Sequence, residues 1–216
     1  MMGDVSARAM GAVVLRRNLR AKIFRQWPRI IVIGGQCRNV GKTALAVDMI
    51  GAFPECEWLA VKITQHHAAE GDSGGYVFQA ETERSGHSDT ARFLAAGAAR
   101  SFLLRVSPPY FKEAMTELRA LINGAENVII ESNPVLDYVP AVLAILVLDA
   151  RRRDFKPSAR RLLGIANVFV LRAPLCAANW RDVDTEMLRA KACFLQPIGG
   201  AMPISLCGYV RRALRK

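Results

Sequence analysis

The sequence predicts an α/β domain with a three-layer, mostly parallel sheet. Three observations carry that prediction. Apolar runs of strand length recur along the chain, stretches with helical spacing separate them, and polar side chains gather just beyond the carboxyl ends of the runs. At 216 residues the chain suits one domain with an ordinary hydrophobic core.

The elements follow in order. Ile30-Ile31-Val32-Ile33 is the first strand, and Gly34-Gly35 leads through a turn to Gly41-Lys42-Thr43 and a helix over Ala44 to Ile50. Trp58 to Ile63 reads as the second strand, and Thr64 to Ser88, rich in Gly, His and acids, as a long loop of the kind that is usually functional. Ser88-Asp89-Thr90 supplies a cap for a helix over Ala91 to Ala96 that Gly97 ends, and Ser101 to Val106 follows as a strand. Phe111, Ala114, Met115, Leu118 and Leu121 stand at helical spacing within Pro109 to Asn123 and read as core. Strands are then expected at Asn127 to Glu131, Leu143 to Asp149, Asn167 to Leu171 and Cys193 to Gln196, with helices between them. No internal repeat or low-complexity tract interrupts this order.

Charge is uneven. The formal net charge is +11, but residues 1–29 contribute +6 and residues 209–216 contribute +4, which leaves +1 for residues 30–208. A basic N-terminal extension, a domain over 30–208 and a basic C-terminal tail are the expected divisions. A specific nucleic-acid surface is not expected from charge confined to the ends. The arginines follow the apolar patch Ala9 to Leu15, which argues against a secretory signal, and no apolar run reaches membrane-spanning length. Cys37, Cys56, Cys176, Cys193 and Cys207 form no Cys-x-x-Cys pair, so a reducing, cytoplasmic setting without a zinc site is expected.

The first strand, turn and helix form a phosphate-binding loop, in which backbone N–H groups and a helix N-terminus face an anion. Lys42 would reach the β and γ phosphates, and the Thr43 hydroxyl would bind Mg²⁺. Gly35, Asn39, Val40, Gly41, Lys42, Thr43 and Ala44 are the expected nucleotide contacts. Gln36 occupies the position where the usual loop begins with glycine. Val128 to Glu131 is an apolar strand ending in an acid, which nominates Glu131 beside Mg²⁺. Asp89 and Arg92, three apart on one helix face, would hold a metal-bound water and neutralise phosphate charge, or pair with each other. The cluster Arg151, Arg152, Arg153, Lys156, Arg160 and Arg161 suits phosphate recognition or a solvated face, and Asp149 and Asp154 would balance it or help bind Mg²⁺.

With the loop, Val61 to His67 and Asp89 to Ala98 taken together, residues 30–135 resemble the molybdopterin-guanine dinucleotide biosynthesis protein B family. The resemblance implies a P-loop nucleoside triphosphate hydrolase fold, GTP binding, a homodimer, and help in attaching a guanine nucleotide to molybdopterin beside a partner protein. It also implies that Lys62, His66, Asp89 and Arg92 line the site. Val147-Leu148-Asp149 and Val168 to Leu171 are similar to the lipid A tetraacyldisaccharide kinase group. Three functions are thus in play: a slow GTPase or ATPase in which Lys42, Glu131 and Asp89 act on phosphate and water, an ATP-dependent small-molecule kinase, and a noncatalytic nucleotide-binding module.

Overall fold

The computed structural model describes residues 27–65, 75–178, 180, 183 and 185–215. Its centre is β1 (Arg29–Gly35), buried from Ile30 onward because it has neighbours on both edges and helices on both faces. The chain continues through α1 (Lys42–Ala52), β2 (Leu59–Gln65), β3 (Tyr76–Glu81), α2 (Asp89–Ala95), β4 (Arg100–Val106) and α3 (Phe111–Ile122). Then come β5 (Asn127–Glu131), β6 (Ala141–Leu148), α4 (Pro157–Ile165), β7 (Val168–Leu171), α5 (Thr185–Arg189), β8 (Ala192–Leu195) and α6 (Ile204–Leu214). The eight strands lie in the order β3-β4-β2-β5-β1-β6-β7-β8, all parallel except the β3–β4 pair.

Alternation along the strands builds the two faces, since successive side chains point to opposite sides. Ile31 and Ile33 of β1 pack with Leu45, Met49 and Ile50 of α1, while Ile30 and Val32 pack with Ala114, Leu118 and Ile122 of α3. A third cluster joins Leu146 and Leu148 of β6 and Phe169 of β7 to Leu162 of α4. Trp58 is fully buried behind α1 and donates its indole N–H to the Phe53 carbonyl at 3.0 Å, which satisfies its polar atom inside the core.

Two sequence expectations need correction. The stretch expected to be loop from Thr64 to Ser88 contains β3, antiparallel to β4. It is an edge strand whose residues all keep solvent contact, so it has no buried apolar run to announce it; only the alternation of Tyr76 and Phe78, half-buried against the core, carries the period. The basic C-terminal segment crosses the boundary expected at residue 208. Tyr209 to Leu214 belong to α6, which buries Leu206 and Val210 and turns Arg211 and Arg212 outward. The N-terminal extension lies outside the described residues up to position 26. Trp27 already packs on the core beneath the Arg119 guanidinium, 4.6 Å from its ring centre, and Arg29 opens β1. Among the described residues no helix is long and apolar enough to cross a membrane.

Candidate functional site

The loop between β1 and α1 is shaped by close approach. A Cβ on Gly35 would meet Lys42 Cγ and Cδ and Val40 Cγ1 at 2.7 Å, so only glycine lets the Lys42 stem cross the end of β1. Gly41 precedes α1 with φ 95°, and a Cβ there would meet Arg172 Nε at 2.9 Å. Asn39 takes φ 55°, a conformation asparagine tolerates better than most residues. No side chain caps α1, and Gly41, Lys42, Thr43 and Ala44 line a cleft of about 630 Å³ at its start. Uncapped N–H groups and the helix dipole favour an anion there.

Three side chains hold the loop from behind. Gln36 is fully buried; its Nε2 donates to the carbonyls of Arg152 and Asp154 at 3.0 Å each, and its Oε1 accepts from Asp149 N at 2.8 Å. Asn133 brackets Gly35, accepting from its N–H at 2.8 Å and donating to its carbonyl at 3.0 Å. Arg172, 3% exposed, donates to Gly41 O at 2.6 Å, Val40 O at 3.4 Å and Gln196 O at 3.1 Å. The residue at the end of β7 therefore supports the loop backbone. The Val40 side chain is in the core, and its carbonyl accepts from Arg172.

Where the β2–β5 ladder ends, the parallel register sets Lys62 directly beside Glu131. Thr43, the second residue of α1, donates its hydroxyl to Glu131 Oε2 at 2.7 Å. The Lys62 ammonium donates to Glu131 Oε1 at 3.1 Å, to Thr43 Oγ1 at 3.4 Å and to Asp89 Oδ2. Ser88 caps α2, its Oγ accepting from Ala91 N at 3.0 Å, and so fixes the turn that presents Asp89. Glu81 accepts from Ser88 Oγ and Thr90 Oγ1 at 2.8 Å each, tying that turn to β3.

Thus Thr43, Lys62, Asp89 and Glu131, scattered over 89 residues of sequence, converge within hydrogen-bonding distance. Arg92 lines the cleft, and among the described residues its guanidinium meets Asp89 at 3.5 Å, while Asp89 is turned toward Lys62. Lys42 Nζ folds back to the Cys37 carbonyl at 3.2 Å, and burial pushes its pKa down. His66 lies outside the described residues.

The basic cluster after β6 is largely engaged in the fold. Arg151 pairs with the buried Asp149 at 3.1 Å, Arg152 donates to the Arg38 carbonyl at 3.0 Å, and Arg161 pairs with Asp137 at 2.5 Å. Asp149 therefore balances this cluster. Lys156 and Ser158 reach the cleft, and the sequence reading had not set either apart from its neighbours. Gln36 and Arg172 were missed as supports; their only sequence signal is a polar residue directly after a buried apolar strand. Among the described residues no group of three or more His, Cys, Asp or Glu side chains is arranged to hold a metal, and all five cysteines are free.

Burial opposes the charged form of Asp89, but the Lys62 hydrogen bond and charge outweigh it and hold the carboxyl below its ordinary range. Burial likewise opposes the Lys62 ammonium, and the Glu131 and Asp89 carboxylates outweigh it and raise its pKa. The Asp89 contribution to stability is therefore present above the unfolded carboxyl value of about 3.9 and is lost as pH falls through the lower folded value. Urea midpoints measured across the acid range should fall with pH, and Asp89→Asn should flatten that limb; identical slopes in the two proteins would contradict the ion pair.

No protein-family model and no curated protein matches the chain. Solved structures do. HypB from Helicobacter pylori, crystallised in complex with nickel, is 12% identical with a TM-score of 0.51 over 98% of this chain and 95% of that one. LpxK from Aquifex aeolicus, in complex with ATP, is 13% identical with a TM-score of 0.47 over 86% of this chain, and a LAO/AO transport system kinase is 13% identical with a TM-score of 0.48 over 92%. The chain spans 60% of that LpxK chain and 63% of that kinase chain. The sheet, the loop at the end of β1 and the likeness to HypB give the protein the α/β fold of the P-loop NTPases.

Proposed function

We propose that the protein is a Mg²⁺-dependent nucleotide-binding protein that hydrolyses its nucleotide slowly. The observation that carries this is the placement of Lys42 and Thr43 at an uncapped helix start, with the Thr43 hydroxyl bonded to Glu131 at 2.7 Å in a cleft of about 630 Å³. Lys42 would turn from the Cys37 carbonyl to the β and γ phosphates, and the N–H groups of α1 would face them. The oxygens of Thr43, Glu131 and Asp89 are a hydroxyl and two carboxylates gathered around one cation, Lys62, and this hard-oxygen set fits Mg²⁺. When bound with nucleotide, Mg²⁺ supplies neutralisation of charge on the β and γ phosphate oxygens. Glu131 or Asp89 would orient water. Neither is a free, strongly activated base: in the ligand-free site both are hydrogen-bonded to Lys62, and in the loaded site both would face Mg²⁺, which supports slow turnover.

GTP as the nucleotide, a homodimer, and help in molybdenum-cofactor guanylylation beside a partner protein rest on the resemblance of residues 30–135. The five free cysteines support a reducing, cytoplasmic setting. Phosphotransfer to a small anionic acceptor is the second reading. It is favoured by Arg92 and Lys156, cations that line the cleft in addition to Lys42 and Lys62.

Calorimetric titration with GTP and ATP, each with and without Mg²⁺, tests the proposal. Mg²⁺-dependent GTP binding is expected; ATP selectivity with acceptor-stimulated turnover would favour phosphotransfer, and binding of neither by folded protein would overturn the nucleotide reading.

A further inference from the structure

We propose that the Lys62 ammonium holds the divalent-cation position in the nucleotide-free protein, that Mg²⁺ must displace it, and that the displaced ammonium then faces the phosphates. The proposal rests on the Mg²⁺-nucleotide reading above and adds the state of the site before ligand arrives.

The hydrogen-bond inventory of the cluster carries it. An ammonium has three N–H donors, and those of Lys62 go to Glu131 Oε1, Asp89 Oδ2 and Thr43 Oγ1. Thr43 gives its own proton to Glu131 Oε2, so the lone pair that meets Lys62 is the one a metal would take. Ammonium and metal therefore compete for the same three oxygens, while the Thr43–Glu131 hydrogen bond is compatible with either occupant. The alternative to Lys62 in this position is two neighbouring carboxylates without a countercharge, an arrangement that costs free energy when half-buried.

Its main chain cannot follow an exchange. Lys62 lies in a central strand, paired with Leu103 on one side and Glu131 on the other, so only the four-carbon stem moves. That stem lines the cleft together with Asp89 and Arg92, and because Lys42 and the α1 start line the same cleft, rotation about the stem would bring the ammonium toward them. One lysine thus has two tasks in sequence. It neutralises the carboxylates while the site waits, and it adds a second ammonium to Lys42 once nucleotide and metal are in place. Binding of metal alone is opposed by the ammonium, whereas nucleotide phosphates offer the ejected ammonium a new partner, so metal and nucleotide favour each other's binding.

The test uses nucleotide-free protein and Mn²⁺ as the probe, followed by electron paramagnetic resonance. Lys62→Met keeps the apolar stem and removes the competing charge, so Mn²⁺ affinity should rise about tenfold or more. Adding Asp89→Asn to that variant should remove most of the gain. In the wild-type protein, labelling of Lys62 by an amine-reactive reagent, read by mass spectrometry, should rise several-fold as Mg²⁺ saturates the site. Mn²⁺ affinity in folded Lys62→Met at or below the wild-type value would overturn the proposal, and so would Lys62 labelling that does not respond to Mg²⁺. The labelling arm decides the matter if the variant does not fold. GTP and ATP titrations of the wild-type protein report separately on the nucleotide reading: its failure is loss of nucleotide binding, whereas failure of the exchange is read from metal and labelling alone.

Discussion

Lys42→Ala is expected to lower nucleotide affinity about 10- to 150-fold while the protein stays folded, since a hydrogen bond to a charged group contributes about 1.5–3 kcal/mol. The asymmetry between binding and stability comes from the environment of this side chain. Its ammonium is pushed toward the neutral form by burial, and the hydrogen bond it makes, at 3.2 Å to the Cys37 carbonyl, is a neutral acceptor that α1 does not depend on. Removing it relieves a desolvated charge and leaves Gly35, Val40 and the α1 start in place. Calorimetry and a thermal unfolding midpoint on the same sample read the two effects. Unchanged affinity would remove Lys42 from the phosphate site, and a large loss of stability would reassign it to the fold.

Gln36→Gly should have the largest effect on stability, although it restores the glycine with which a phosphate loop of this spacing usually begins. The backbone does not ask for glycine here: Gln36 lies outside the left-handed region, and among the described residues only Asn39 and Glu57 enter it without being glycine. The carboxamide instead binds three backbone groups of the β6–α4 connection, Asp149 N, Arg152 O and Asp154 O. Deleting it leaves buried groups without partners at about 1–3 kcal/mol each, and partial access of water to the connection brings the expected total to about 2–4 kcal/mol. The urea midpoint should fall accordingly. Nucleotide affinity should fall too, because the same connection carries Arg152, which donates to the Arg38 carbonyl of the loop. A midpoint within error of wild type would mean that the motif, and not the tether, describes position 36.

These two residues mark how far the sequence was legible. The place of Lys42 at a helix start was readable because a strand, a tight turn and a helix start are local events, each with its own signature in a short stretch. The same holds for the strands of the sheet centre, whose apolar runs are long because both faces are buried. Glu131 was readable as the acid ending such a run. β3 was not, because an edge strand in contact with water lacks the continuous burial that makes the others visible. The C-terminal charges misled for a related reason. Four cations in eight residues read as a tail, yet helical spacing puts Leu206 and Val210 on one face and leaves the arginines to water.

By itself the sequence determined the α/β class, the run of strands from β1 to β8 apart from β3, the glycine-bounded loop that leads from β1 into α1, and an acid at the end of β5. Those properties follow from periodicity and turn chemistry over short stretches. Tertiary structure alone decided which polar residues meet. Lys62 stands beside Glu131 because β2 and β5 are neighbours in register, and Asp89 reaches the same point because α2 starts where β3 and Glu81 hold its first turn. Arg172 and Gln36 support the loop because β7 and β6 end beneath it. Hydrogen bonds between residues 88 or 131 positions apart leave no local trace, since the choice of partner is made by strand order and not by the neighbours of either residue in the chain.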